Sequence, residues 1–144
     1  MKYAIVFAKD EKKLNNEDVY QVFVPDLPGC LTQAKTIDLG LESMVKSIKS
    51  HLEILAEYGE KIPSAISIET LRKQYELGNP HTYSQAFWTF IDIDITPYLG
   101  KSHKINVTLP ELLIRQIDDK VSKSTDYKTR SGFIANACMA ELQK

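Results

Sequence analysis

The sequence predicts an α+β chain: an antiparallel sheet of three to four strands with helices against it, followed by a small strand-helix-helix module. Three observations carry that expectation. Short strand-like stretches stand at residues 3–8, 19–24, 30–35 and 87–95, most of them rich in Val, Ile, Phe and Tyr. One long stretch of helical period lies between the third and the fourth. Charge also divides the chain, because residues 1–100 hold 10 Lys and Arg against 14 Asp and Glu, whereas residues 101–144 hold 8 against 5. The two parts should therefore meet different partners.

Tyr3 to Ala8 and Val19 to Val24 read as paired strands joined by the polar loop Lys9 to Asp18. Pro25-Asp26-Leu27-Pro28-Gly29 closes the second strand, since proline fixes φ and removes a donor while Gly29 permits a positive φ. Cys30 to Lys35 follows as a third strand. From Asp38 the period changes, with Leu41, Met44, Val45, Ile48, Leu52, Leu55 and Ala56 on one stripe and Glu42, Lys46, Lys49 and Glu53 elsewhere. Asp38 is expected to cap this helix and Gly59 to end it. Ser67 opens a shorter helix through Leu77, stopped by Gly78-Asn79-Pro80. Phe87 to Ile95 returns to period two, with Thr89, Ile91, Ile93 and Ile95 on one face and Trp88, Phe90, Asp92 and Asp94 on the other. Pro97 and Gly100 then interrupt the pattern, which makes residues 97–102 a linker between a first domain, 1–96, and a second, 103–144.

Composition narrows the class of protein. The chain has 144 residues, 43% of them apolar and 26% charged, with a net charge of −1, values of a folded globular chain rather than a disordered one. Its longest apolar run, Tyr3 to Ala8, is far below the roughly 20 residues of a bilayer span, and no signal-peptide pattern opens the sequence. No membrane role is expected, and a reducing cytoplasm fits the two cysteines, which lack CxxC spacing. Cys30 reads as a small buried residue and Cys138 as core. His51, His81 and His103 show no ligand spacing, so neither a metal nor another cofactor is expected.

In the last forty-two residues, Lys104-Ile105-Asn106-Val107-Thr108-Leu109 alternates strictly before Pro110 starts a helix. Leu113, Ile117 and Val121 stripe that helix, and after Ser124 to Lys128 a second helix carries Phe133, Ile134, Ala137, Cys138 and Leu142. One strand has nothing to pair with, and the module is too small for a core of its own. A twofold homodimer, with the two strands as an antiparallel ribbon, solves both problems.

This pattern, Asn106-Val107-Thr108-Leu109-Pro110 followed by two helices with Thr129-Arg130-Ser131 opening the second, resembles the ribbon-helix-helix DNA-binding fold. A two-stranded ribbon fits the major groove, and the face opposite the core offers Lys104, Asn106 and Thr108. Lys104 suits guanine, Asn106 adenine, and Thr108 a base edge or a thymine methyl. Arg130 and Ser131, at the start of the second helix, are expected to hold a phosphate. Linked modules would also raise avidity for paired half-sites, which makes a tetramer compatible with the same logic.

Val24-Pro25-Asp26-Leu27-Pro28-Gly29-Cys30 with Thr32, then the long helix and Gly59-Glu60-Lys61-Ile62-Pro63, resembles the HicB antitoxin family, closely over residues 1–66 and again after Phe87. The resemblance implies a partial RNase H-like first domain that binds a HicA-type toxin, an mRNA-cleaving ribonuclease, and a second domain that binds the operator DNA of its own genes. The acidic first domain agrees, since an RNA-binding toxin must be basic. The other reading is a ribbon-helix-helix transcription regulator whose first domain senses a ligand or a protein. No enzyme is expected: Asp26, Asp92 and Asp94 are the carboxylates near strands, yet two-metal nuclease chemistry needs several converging acids, and Tyr3 to Ala8 offers none.

Overall fold

The computed structural model describes residues 1–10 and 18–144, so most of the expected loop before the second strand lies outside the described residues. By its contacts the chain divides into two compact units, Met1–Lys101 and Ser102–Lys144.

Strands β1 (Lys2–Lys9), β2 (Tyr20–Phe23), β3 (Leu31–Ala34) and β4 (Phe87–Asp92) form one antiparallel sheet in the order β3-β2-β1-β4. The run Tyr3 to Ala8 is apolar on both faces and belongs in the middle of a two-sided core, where every one of its side chains is buried. Register then sorts the faces, because Val6 pairs with Phe23 on one side and with Trp88 on the other. On that face Phe23 and Trp88 meet Tyr75 and Tyr83 in tilted and edge-on contacts, with ring centroids 5.0 to 6.2 Å apart. The opposite face, with Phe7 on it, is covered by helix α1 (Ile37–Glu57). β4 stops at Asp92, not at Ile95, because β1 has no further residues to pair beyond Lys2.

Met44, Ile48 and Leu52, four residues apart, are the fully buried large side chains of α1, each stabilising the fold by about 1.5–3 kcal/mol through burial. Its N-cap is Thr36, whose hydroxyl accepts from the Leu39 N–H at 3.2 Å, and Asp38 stands inside the first turn. Both residues are good caps by type, but only Thr36 has extended backbone. At the other end Gly59, at φ 68, donates to the Ala56 carbonyl and Glu60 to that of Leu55, so the glycine supplies the left-handed residue of a Schellman turn.

Ser67 caps α2 (Ile68–Gly78), accepting from Thr70 N–H at 3.2 Å. Asn79-Pro80 not only stops this helix but starts another: the Asn79 side chain accepts from Thr82 N–H and Pro80 opens the four-residue α3 (Pro80–Tyr83). The expected linker begins inside the first unit, with Thr96–Tyr98 forming a single 3-10 turn packed against α1.

The second unit holds α4 (Glu111–Lys123) and α5 (Arg130–Leu142). Residues 101–110 before them form neither helix nor paired strand in the single chain. Among the described residues, no helix is long and apolar enough to cross a membrane.

Candidate functional site

The turn Val24 to Cys30 is closed by its own backbone, with Val24 donating to Cys30, Leu27 to Val24 and Cys30 to Leu27. Leu27 is fully buried, and Gly29 takes φ 87. That geometry pushes Asp26 inward, where it accepts from the Ile66 N–H at 3.2 Å and ties the turn to the connection between α1 and α2. Tyr3 reaches the same connection by donating to the Pro63 carbonyl at 2.8 Å. Burial, and then the nearby Asp26 carboxylate, push the Tyr3 hydroxyl up to about 12. The Asp26 carboxyl is raised above its ordinary 3.8 by burial, partly offset by the bond from Ile66.

The sign of that shift sets a prediction. A carboxyl raised in the folded state gives stability that is present below its unfolded value and is lost as pH rises through the folded one. Asp26→Asn retains an acceptor for Ile66 and removes the buried charge, so at pH 7 it is expected to hold or raise the Tm and to flatten the fall in stability above pH 4. Asp26→Ala leaves the Ile66 N–H unpaired and is expected to cost about 1–3 kcal/mol. Thermal melts across pH 4 to 8 check both.

The other first-unit carboxylates weighed from sequence are each engaged locally. Asp92 accepts from the Met1 amino group at 3.2 Å, and Asp94 accepts from Thr96 N–H at 3.0 Å. Among the described residues no three His, Cys, Asp or Glu side chains converge as metal ligands. Cys30 is buried with its Sγ 3.6 Å from Met44 Sδ, and burial raises its thiol.

In the second unit, Lys104, Asn106 and Thr108 are exposed, and none makes a hydrogen bond or an ion pair in the single chain. Their apolar neighbours are exposed too, Ile105 at 79% and Val107 at 63%. Ile117 is the one fully buried side chain of residues 102–144, although Phe133 and Tyr127 make an edge-on ring contact beside it in sequence. Cys138, expected in the core, is exposed in the single chain, as are Ala137 and Leu142. The stripe identifies a face, and one copy supplies nothing to cover it.

Arg130 and Ser131 open α5 as the sequence suggests, but Thr129 is the cap, accepting from Gly132 N–H at 3.0 Å. Ser131 is exposed. The structure brings Arg130 onto Asp118 of α4 in a two-pronged pair, Nε to Oδ1 at 2.9 Å and a terminal nitrogen to Oδ2 at 2.7 Å. The guanidinium bonded to it holds the Asp118 carboxyl below the usual carboxylate range. This pair, which clamps the two helices, escapes sequence reading because twelve residues and a turn separate its members.

Comparison with known proteins agrees with this architecture. The family model described as the HicB-like antitoxin of bacterial toxin-antitoxin systems matches residues 3–138. A 14.9 kDa protein of the rep-hol intergenic region of Haemophilus phage HP1 is 35% identical over 125 residues, 87% of this chain and 90% of that one. The crystal structure of the Burkholderia pseudomallei antitoxin HicB is 31% identical and superposes with a TM-score of 0.67, covering 99% of this chain and 98% of that one. A toxin-antitoxin complex from Streptococcus pneumoniae, 18% identical with a TM-score of 0.53 and 98% coverage of both chains, shares the fold. With an antiparallel four-stranded sheet flanked by helices and a family match along nearly its whole length, this chain belongs to the HicB-like antitoxins of bacterial toxin-antitoxin systems.

Proposed function

We propose that the chain neutralises a HicA-type mRNA-cleaving toxin through residues 1–96, by covering the surface with which the toxin reaches RNA, and represses its own operon through residues 103–144. The latter act as a ribbon-helix-helix homodimer on operator DNA. The partial RNase H-like character of the first domain belongs to the same reading and is supported by the meander β1-β2-β3 followed by α1.

The observation that carries the proposal is the bare apolar face of the second unit. Forty-three residues with Ile117 as their one buried side chain cannot stabilise themselves. A twofold mate supplies what is missing, because its own residues 104–109 pair with these, and the combined helices cover Ile105, Val107, Leu113 and Leu142. The ribbon's outer face then carries Lys104, Asn106 and Thr108 from each copy into the major groove. The test is twofold. The purified chain is expected to sediment as a dimer or a higher even assembly and to bind its promoter with an affinity that falls steeply with salt, and to stop RNA cleavage by the toxin encoded beside it. A monomer indifferent to promoter DNA at low salt, or undiminished cleavage, overturns the corresponding half.

The Arg130–Asp118 pair sharpens the DNA part. Asp118 competes with phosphate for the guanidinium, so Asp118→Asn is expected to tighten promoter binding several-fold. Arg130→Ala weakens all sequences alike and lowers the salt slope by about 1. Asn106→Ala relaxes preference at one base position, at a cost of about 1–3 kcal/mol. Gel-shift titrations against promoter and scrambled DNA at three salt concentrations separate the three outcomes.

A further inference from the structure

The exposed end of α1 is built unlike a free surface. Ile54 and Tyr58 are 53% and 77% exposed, and Leu99, just after the 3-10 turn, is 50% exposed. Exposed Glu53, Glu57 and Glu60 stand among them in sequence, and none of the three enters an ion pair among the described residues. These carboxylates sit at the negative end of the helix macrodipole, where an anion is disfavoured by about 0.3–1 kcal/mol, and α1 has no basic residue in its last turn. Burial, then Glu53 and Asp94, raise the Tyr98 hydroxyl, which places both carboxylates beside the ring and makes the helix end and the turn one acidic surface. Lys49 and Lys61 flank it in sequence.

An arrangement that costs the isolated chain stability is relieved by a cation from outside. We propose that this surface, with Glu53, Ile54, Glu57 and Tyr58 at its centre and Tyr98 and Leu99 beside them, docks the basic face of the toxin. The inference rests on the toxin reading above and assigns it a place. A protein that cleaves RNA must present Lys and Arg to phosphates, and those same groups meet the carboxylates while the aromatic and aliphatic side chains form the desolvated centre of an interface. The contact then occupies the cationic surface that RNA needs, so inhibition follows from charge occupancy without any change in the toxin's fold.

The experiment measures affinity between the full chain and the HicA-type toxin encoded beside it, by titration calorimetry and by inhibition of RNA cleavage. Glu53→Lys/Glu57→Lys and, separately, Tyr58→Ala are compared with Glu69→Lys on α2, an exposed charge reversal away from α1. Each of the first two is expected to weaken the complex at least tenfold, the charge variant also flattening its salt dependence, with promoter binding and melting temperature unchanged; Glu69→Lys stays within twofold of the original. A complex that both α1 variants leave within twofold overturns this surface and leaves the toxin reading standing. Absence of any complex with the unaltered chain overturns both. Full toxin binding combined with a smaller assembly mass for the α1 variants assigns the surface to a second copy of the chain and overturns the proposal.

Discussion

Phe7→Ala is expected to lower the unfolding free energy of the first unit by about 3–5 kcal/mol, the range for emptying a large aromatic site in a packed core. Phe7 stands on the central strand, 1% exposed, with the Tyr20 ring edge-on at 6.0 Å, the Phe87 ring at 5.8 Å and α1 across the layer. The helix meets it at Gly40, where a Cβ would overlap Phe7 Cε1 and come within 3.1 Å of Cζ and 3.3 Å of Ala34 Cβ. Gly40→Ala should by propensity alone favour the helix by up to about 1 kcal/mol. Here overpacking opposes it by about 1–3 kcal/mol, and a net loss is expected because the ring is walled in on both sides. The two substitutions are coupled. In the double variant the alanine methyl enters the space the ring has left, so the combined loss is expected to fall short of the sum by about 1 kcal/mol or more. Trp88, the single tryptophan, lies 5.8 Å from Tyr75 in the same unit, and its fluorescence in urea titrations reports this unit alone. Additivity to within about 0.5 kcal/mol would refute the tight layer contact.

Val107→Glu is expected to remove promoter binding, with a loss of at least a hundredfold. Val107 is 63% exposed in the single chain, so the substitution costs a lone copy little. In the proposed ribbon it places two carboxylates, one from each copy, against an apolar seam, where burying an unpaired charge is prohibitive. The assembly mass should halve at micromolar concentration. Any residual DNA binding should show about half the salt slope, since half the phosphate contacts are gone. Toxin inhibition should survive, because the first unit holds its own core. Wild-type promoter affinity in this variant, or an unchanged mass, would refute the ribbon.

The contrast between these two sites shows what the sequence makes legible. The six-residue apolar run at Tyr3 to Ala8 and the four-residue spacing of Met44, Ile48 and Leu52 are patterns of burial, and the structure places both in the core. Caps were less readable, because Thr36 and Asp38 are chemically equivalent and only backbone angles choose between them. Asn79-Pro80 was read as a stop, although the same pair also has the chemistry of a start. The clamp between Asp118 and Arg130 depends on how two helices meet, which no periodicity encodes. The tail's alternation names an apolar face, but what covers it lies outside the single chain, and for that reason Ile105, Val107 and Cys138 are exposed.

The two thiols turn that last feature into an internal gauge. Cys30 is sealed among apolar neighbours, with burial raising its thiol, whereas Cys138 is open in a solitary copy. Alkylation of the native protein therefore sorts copies by company kept: one rapid equivalent per chain for each tail standing alone, none for a tail engaged with its twin. Dilution, promoter or toxin can each be added to the same cuvette and read by that one rate.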